Sequence, residues 1–230
     1  MNKKELIKKV NELDDLNRAT EGECLLDEYL IKHPNDIDVL VRLATYVLGP
    51  PLSYYPKAIE CLEKIFELDN NNIEAHLLFA CINRFHGPYY DEEALDGLNK
   101  LKTNDPEEQS MIEYAKSWSY ENLEQWDLCE QSLLKSIQLY PYHVWNYRDL
   151  GLIYIKQGRK SEGLELLSKA ISNVKVIFRQ NDGHKSDWTS AQRYFDELIR
   201  GTHITDSVYE CLEEDLLGTN STIWPSDDAE

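Results

Sequence analysis

Five cysteines and six histidines are the residues of this 230-residue chain best suited to metal binding or nucleophilic catalysis. Cys24, Cys61, Cys81, Cys129 and Cys211 stand 37, 20, 48 and 82 residues apart, so there is no Cys-x-x-Cys pair to grip zinc or run thiol exchange. Each lies inside an apolar helical pattern, where a free thiol acts as a small hydrophobe. The odd count reads as reduced, cytosolic thiols. The histidines are scattered and give no His-x-x-x-His face for a metal. Gly158-Arg159-Lys160-Ser161 has the closing letters of a phosphate loop, but Ile153 stands where the first glycine must be and no strand precedes it. Carboxylate runs such as Glu92-Glu93 and Glu213-Glu214-Asp215 read as solvated helix faces, not as acid–base pairs. The expectation is a chain with no catalytic residues, no bound metal and no cofactor.

Composition bounds what must position any site. Hydrophobic residues make up 42% of the chain, with 14 Tyr and 5 Trp, which is too apolar and aromatic for a disordered acidic chain. Acids outnumber bases 42 to 24, a net charge of −18, and that disfavours nucleic acid as a partner because phosphate contacts need a basic footprint. No apolar run reaches the roughly 18 residues of a membrane helix. The opening MNKKELIKKV lacks the apolar core of a secretory signal, so a cytoplasmic protein is expected. The ten Gly and eight Pro gather between long amphipathic stretches in which apolar residues recur every three or four positions, as in Ala58, Cys61, Leu62, Ile65, Phe66. The fold class is all-α.

Helix-end signals recur at a nearly constant spacing: HPND at 33–36, LDNNN at 68–72, NDPEE at 104–108 and LYPYH at 139–143. They divide the chain into units 3–36, 37–72, 73–109, 110–143 and 144–177. The fifth unit carries Tyr147, Leu150, Gly151 and Tyr154 in its first helix, Gly158 at the turn, and Gly163, Leu167 and Ala170 in its second. The fourth carries Ser117, Tyr120, Cys129, Leu133, Ser136 and Pro141, and the first carries Val10, Leu13, Gly22, Leu26, Tyr29 and Pro34. The second and third units need two extra residues at the turn, in GPPLSYYP and HGPYYD. This period and these residues resemble the tetratricopeptide repeat family over residues 3–177. The resemblance implies a right-handed solenoid of antiparallel helix pairs. Small residues at unit positions 8, 20 and 27 would sit where helices approach most closely, and each pair would borrow its neighbour's apolar face.

The fifth unit has Lys175 where the family places proline, so its second helix is expected to run on to about residue 180. Further helices over 188–199 and 206–217 would form a capping hairpin within 181–218. Residues 219–230, with Trp224, read as a flexible acidic tail.

In the family, six positions of each first helix line the concave, partner-binding surface. Here those positions hold six bases and six acids, so the surface is neutral on a strongly acidic chain. An aromatic and arginine-rich subset has the composition of a binding hot spot. The candidate partner-binding residues are Arg42, Leu77, Arg84, Tyr114, Trp118, Trp145, Arg148, Leu152 and Lys156, with Trp118 and Trp145 readable also as helix–helix packing. The pattern by which chaperone-binding members clamp a terminal carboxylate is met only at Asn11 and is not supported. The leading expectation is a non-catalytic module that holds a peptide or helix of another protein. The alternative is an acidic immunity or antitoxin-type protein that occludes a basic, nuclease-like toxin. Residues 201–230, with eight acids and no Lys or Arg, motivate that reading.

Overall fold

A computed structural model of the chain describes residues 1–49, 51–86, 90–180 and 206–218. These contain eleven α-helices and no strand: α1 Lys3–Asp15, α2 Ala19–Lys32, α3 Ile37–Leu48, α4 Tyr55–Leu68, α5 Ile73–His86, α6 Asp91–Lys100, α7 Pro106–Asn122, α8 Trp126–Leu139, α9 Val144–Lys156, α10 Lys160–Gln180 and α11 Asp206–Leu217. The expected helix at 188–199 and the tail at 219–230 lie outside the described residues. The described residues form two compact units, one ending at Lys102 and one beginning at Thr103.

Helix starts follow from short polar caps. Asn2 accepts from the Glu5 amide at 2.9 Å while its own amide donates to the Glu5 carboxylate at 3.1 Å, a reciprocal capping box. Asp36, Asn72 and Asp105 cap α3, α5 and α7 in the same sense, and Pro106 follows Asp105 where a missing N–H does no harm. Helix ends repeat as well. α1, α7 and α9 each close with a residue in the left-handed region, Asn17 (φ 57°), Glu124 (φ 56°) and Gly158 (φ 81°). In each, the next amide reaches back five residues: Arg18 to Leu13, Gln125 to Tyr120 and Arg159 to Tyr154, all at 2.8 Å. This is the Schellman arrangement. The longer turn after α3 places Ser53 in the same region (φ 45°).

In the first unit α1 to α4 pair in sequence, and α5 and α6 continue the series. Leu6, Val10, Leu26, Leu43, Leu62 and Leu78 are fully or almost fully buried in one continuous core. Every residue of α3 from Val39 to Val47 is buried, so this helix is enclosed on all sides. In the second unit α7 pairs with α8, α9 with α10, and α11 packs on α10. Small residues set the approach distances. A Cβ at Gly151 would lie 2.9 Å from the Gly163 carbonyl oxygen, and one at Gly163 would lie 2.5 Å from that of Gly151. Ser110 and Ser136 exchange side-chain-to-carbonyl hydrogen bonds at 2.9 and 2.6 Å, and Asn146 donates to the Ser136 hydroxyl at 2.7 Å. Proline-free, α10 continues past Lys175 to Gln180.

Candidate functional site

The residues singled out from the sequence fall on the first helices of the pairs. In the first unit Arg42 lies on α3, and Leu77 and Arg84 lie on α5. Arg42 and Leu77 are buried and Arg84 is half-buried.

In the second unit the structure draws the candidates into one cluster. Tyr114 on α7 meets Trp118 edge to face at 4.8 Å and His143 at 4.7 Å. Its hydroxyl donates to Asp149 Oδ2 at 3.0 Å. Asp149 also receives the Arg148 guanidinium at 3.4 Å, and Arg148 Nε donates to Asp215 Oδ2 of α11 at 2.6 Å. The same guanidinium lies 5.7 Å from the centre of the Trp145 ring, within cation–π range. Leu152 belongs to an apolar cluster with Ile155 and Leu167, against which Leu216 of α11 packs. Trp145 packs against the cluster of Val144, Tyr147, Ala170 and Leu212. Lys156, at the end of α9, is exposed and stands apart.

The electrostatics are those of a dry interior. Burial works against the Arg148 charge, but Asp149 and Asp215 more than offset it and hold its pKa above the ordinary guanidinium value. Asp215 Oδ1 is buried with no hydrogen-bond partner. His143 occupies the N-cap position of α9 without capping it. Neither ring nitrogen has a hydrogen-bond partner, and burial pushes its pKa down to about 3, so the ring is neutral. Burial also pushes the thiols up, Cys61 to about 11 and Cys81 to about 12, which leaves them protonated and poorly nucleophilic at neutral pH. Among the described residues no group of three or more His, Cys, Asp or Glu side chains is placed to hold a metal, and no helix is long and apolar enough to cross a membrane.

Two differences from the sequence reading matter. Asp215, read there as part of a solvated acidic face, is fully buried, because α11 turns it inward between Leu212 and Leu216. Its position three residues after Leu212 and one before Leu216 was the available signal: it lies on the apolar stripe of its helix. The second difference is depth. Tyr114, Trp118 and Leu152 are buried, Trp118 to 2% exposure, and Arg148 is mostly so. Both readings of Trp118 are informed by this: its ring packs edge-on against Tyr114.

No protein-family model and no curated protein matches the chain. Solved structures do. PilW, a widely conserved type IV pilus biogenesis factor, aligns with a TM-score of 0.64 at 14% identity over 96% of this chain and 96% of its own. MamA from Desulfovibrio magneticus RS-1, from residue 41 to its end, gives 0.60 at 17% identity over 78% and 97%. A thermophilic TPR protein of Thermus thermophilus gives 0.59 at 20% identity over 75% and 91%. At these identities the likeness is one of fold. The fold is that of the tetratricopeptide-type helical repeat proteins, solenoids of antiparallel helix pairs.

Proposed function

We propose that this chain is a non-catalytic, cytoplasmic protein-interaction module that binds a helix or peptide of a partner protein on α7 and α9 of its second unit, with α9 as the centre of the contact. The observation that carries the proposal is the stripe Trp145, Arg148, Leu152, Lys156. These residues follow one another at three- and four-residue steps on one helix, and Tyr114 of α7, packed on Trp118, is hydrogen-bonded to Asp149 of the same helix as the stripe. Aromatic and arginine side chains in such clusters dominate binding energies, because they combine large apolar area with directional polar contacts. The repeat fold supports the reading, since stacked pairs present an extended surface with no need for a closed active site. Arg148 and Leu152 are engaged by α11, so a partner that reaches them must displace or share that helix.

The test is crosslinking of the full chain in lysate, with mass spectrometry to locate the contacts. Partner crosslinks are expected on α7 and α9. The double variant Trp145→Ala with Lys156→Ala should weaken capture about tenfold at a temperature where it is still folded, its unfolding midpoint being lowered because Trp145 also packs on the cluster of Val144 and Leu212. Crosslinks confined to other helices, or capture untouched by the double variant, would overturn the reading. The neutraliser alternative has no specific observation behind it: of the eight acids in residues 201–230, Asp215 is buried and paired with Arg148, not presented to a basic partner.

A further inference from the structure

The first unit carries a cleft of about 300 Å3 bordered by α4, α5 and α6. Its wall is a row of rings. Phe66 stacks on His76 at 4.5 Å and meets Phe79 edge to face at 6.1 Å, and Phe79 lies 5.9 Å from Tyr90. The row is closely packed: His76 donates through Nε2 to the Asn70 carbonyl at 3.0 Å, and a Cβ at Gly97 would sit 2.5 Å from its Nδ1. Only glycine at 97 lets the ring lie there. Burial lowers the His76 pKa, so the ring adds no positive charge at neutral pH.

The rim has the opposite character. Glu63, Glu93 and Asp96 border the cleft, and the cation beside them, Lys100, is committed to Asp96. Glu63 and Glu93 are exposed and form no ion pair among the described residues. An aromatic wall beneath uncompensated carboxylates is complementary to a flat, apolar-stemmed cation. A neutral apolar side chain would fill the wall and leave the rim charges desolvated for no return, whereas an ammonium lacks the planar face that stacks on rings.

We propose that this cleft is a second binding site, one that takes an arginine side chain of a protein partner, with the guanidinium on the Phe79–Tyr90 rings and paired to Glu63 and Glu93. The volume accommodates a single long side chain with its flanking backbone. Ring contact and ion pairing strengthen each other because both act on the same desolvated cation. The proposal does not rest on the α9 reading, since the two sites share no residue.

The experiment measures fluorescence anisotropy of the full chain with a fluorescein-labelled hexapeptide Gly-Ala-Leu-Arg-Ala-Gly and with matched peptides carrying lysine or citrulline in place of arginine. Arginine should bind most tightly, lysine more weakly, and the neutral citrulline at least about tenfold more weakly. The double variant Glu63→Gln with Glu93→Gln should weaken arginine binding about tenfold with thermal unfolding unchanged, because both side chains are exposed, and Tyr90→Ala should weaken it as much at a small cost in midpoint from its lost contact with Phe79. Trp145→Ala should leave it intact. Equal binding of citrulline, binding indifferent to the Glu→Gln pair, or no binding up to about 1 mM would overturn the proposal. Self-association of the chain that the Glu→Gln pair abolishes would also overturn it, by making a second copy the occupant.

Discussion

Arg148 and Asp215 form an ion pair with side chains 19% and 0% exposed, and such pairs reveal their value only when one half is removed. Asp215→Ala leaves the guanidinium desolvated beside Asp149 alone. An expected loss of about 3 kcal/mol in urea unfolding follows, accompanied by proteolytic cleavage in α11. Replacing both partners with apolar residues, Arg148→Met with Asp215→Leu, should recover most of that loss, because well-packed hydrophobes substitute for buried ion pairs at little net cost. His143 makes the opposite kind of statement. It is held neutral in the folded chain, with its pKa lowered from the ordinary 6.5 to about 3, so the unfolded chain binds a proton the folded chain refuses. Stability therefore falls as pH drops from 6.5 toward 3. His143→Phe should remove this component, so that between pH 7 and pH 5 the variant loses about 2 kcal/mol less than wild type in denaturant titrations.

Three helix ends use one backbone solution with three different residues, which gives an internal comparison. Gly158 adopts the left-handed conformation freely, whereas Glu124 does so at a steric cost to its Cβ. Glu124→Gly should stabilise the chain by about 0.5–1 kcal/mol, read as a rise in the unfolding midpoint, because relief of that cost outweighs the extra freedom of the unfolded glycine. The helix contact at Gly151 and Gly163 predicts the reverse. Gly163→Ala forces a methyl to within 2.5 Å of the Gly151 carbonyl oxygen and 2.6 Å of Ile155 Cγ1, atoms held by the backbone and by packing. A loss of about 1–3 kcal/mol is expected, with helix content by circular dichroism unchanged below the transition. At this scale the sequence was easily read. Gly151, Gly163 and Ser136 were identifiable as close-approach positions because steric fit between neighbouring helices leaves its mark on residue size; Asp36, Asn72 and Asp105 fall inside the segments read as helix ends, and the structure makes them the caps of the helices that follow.

Across the whole chain, a net charge of −18 opposes folding by self-repulsion. Local pairs such as Lys57 with Glu23 and Asp27, at 2.7 and 2.6 Å, relieve only a little of it. Raising sodium chloride from about 50 to 500 mM shortens the screening length severalfold and should raise the thermal midpoint. A midpoint that falls would mean that these ion pairs outweigh the repulsion. Binding of an arginine-bearing partner at the α4–α6 cleft should weaken over the same range, so stability and affinity move in opposite directions with salt.

The helical class and the tetratricopeptide-type repeat were legible in the residues alone, because periodicity and steric size are properties of short segments and of adjacent pairs; the start of α7 at Pro106, inside the segment 104–108 read as a helix end, was not. The inward turn of Asp215, the seclusion of Tyr114, Trp118 and Arg148, and the aromatic row at Phe66, His76, Phe79 and Tyr90 were not legible either. Each depends on which face of one helix meets which face of another, across separations from ten to nearly seventy residues. A pattern along the chain shows that a side chain lies on the apolar stripe of its helix. It does not say what stands opposite, and that opposing surface is what turns a carboxylate into a buried anchor or leaves it as a rim charge in water.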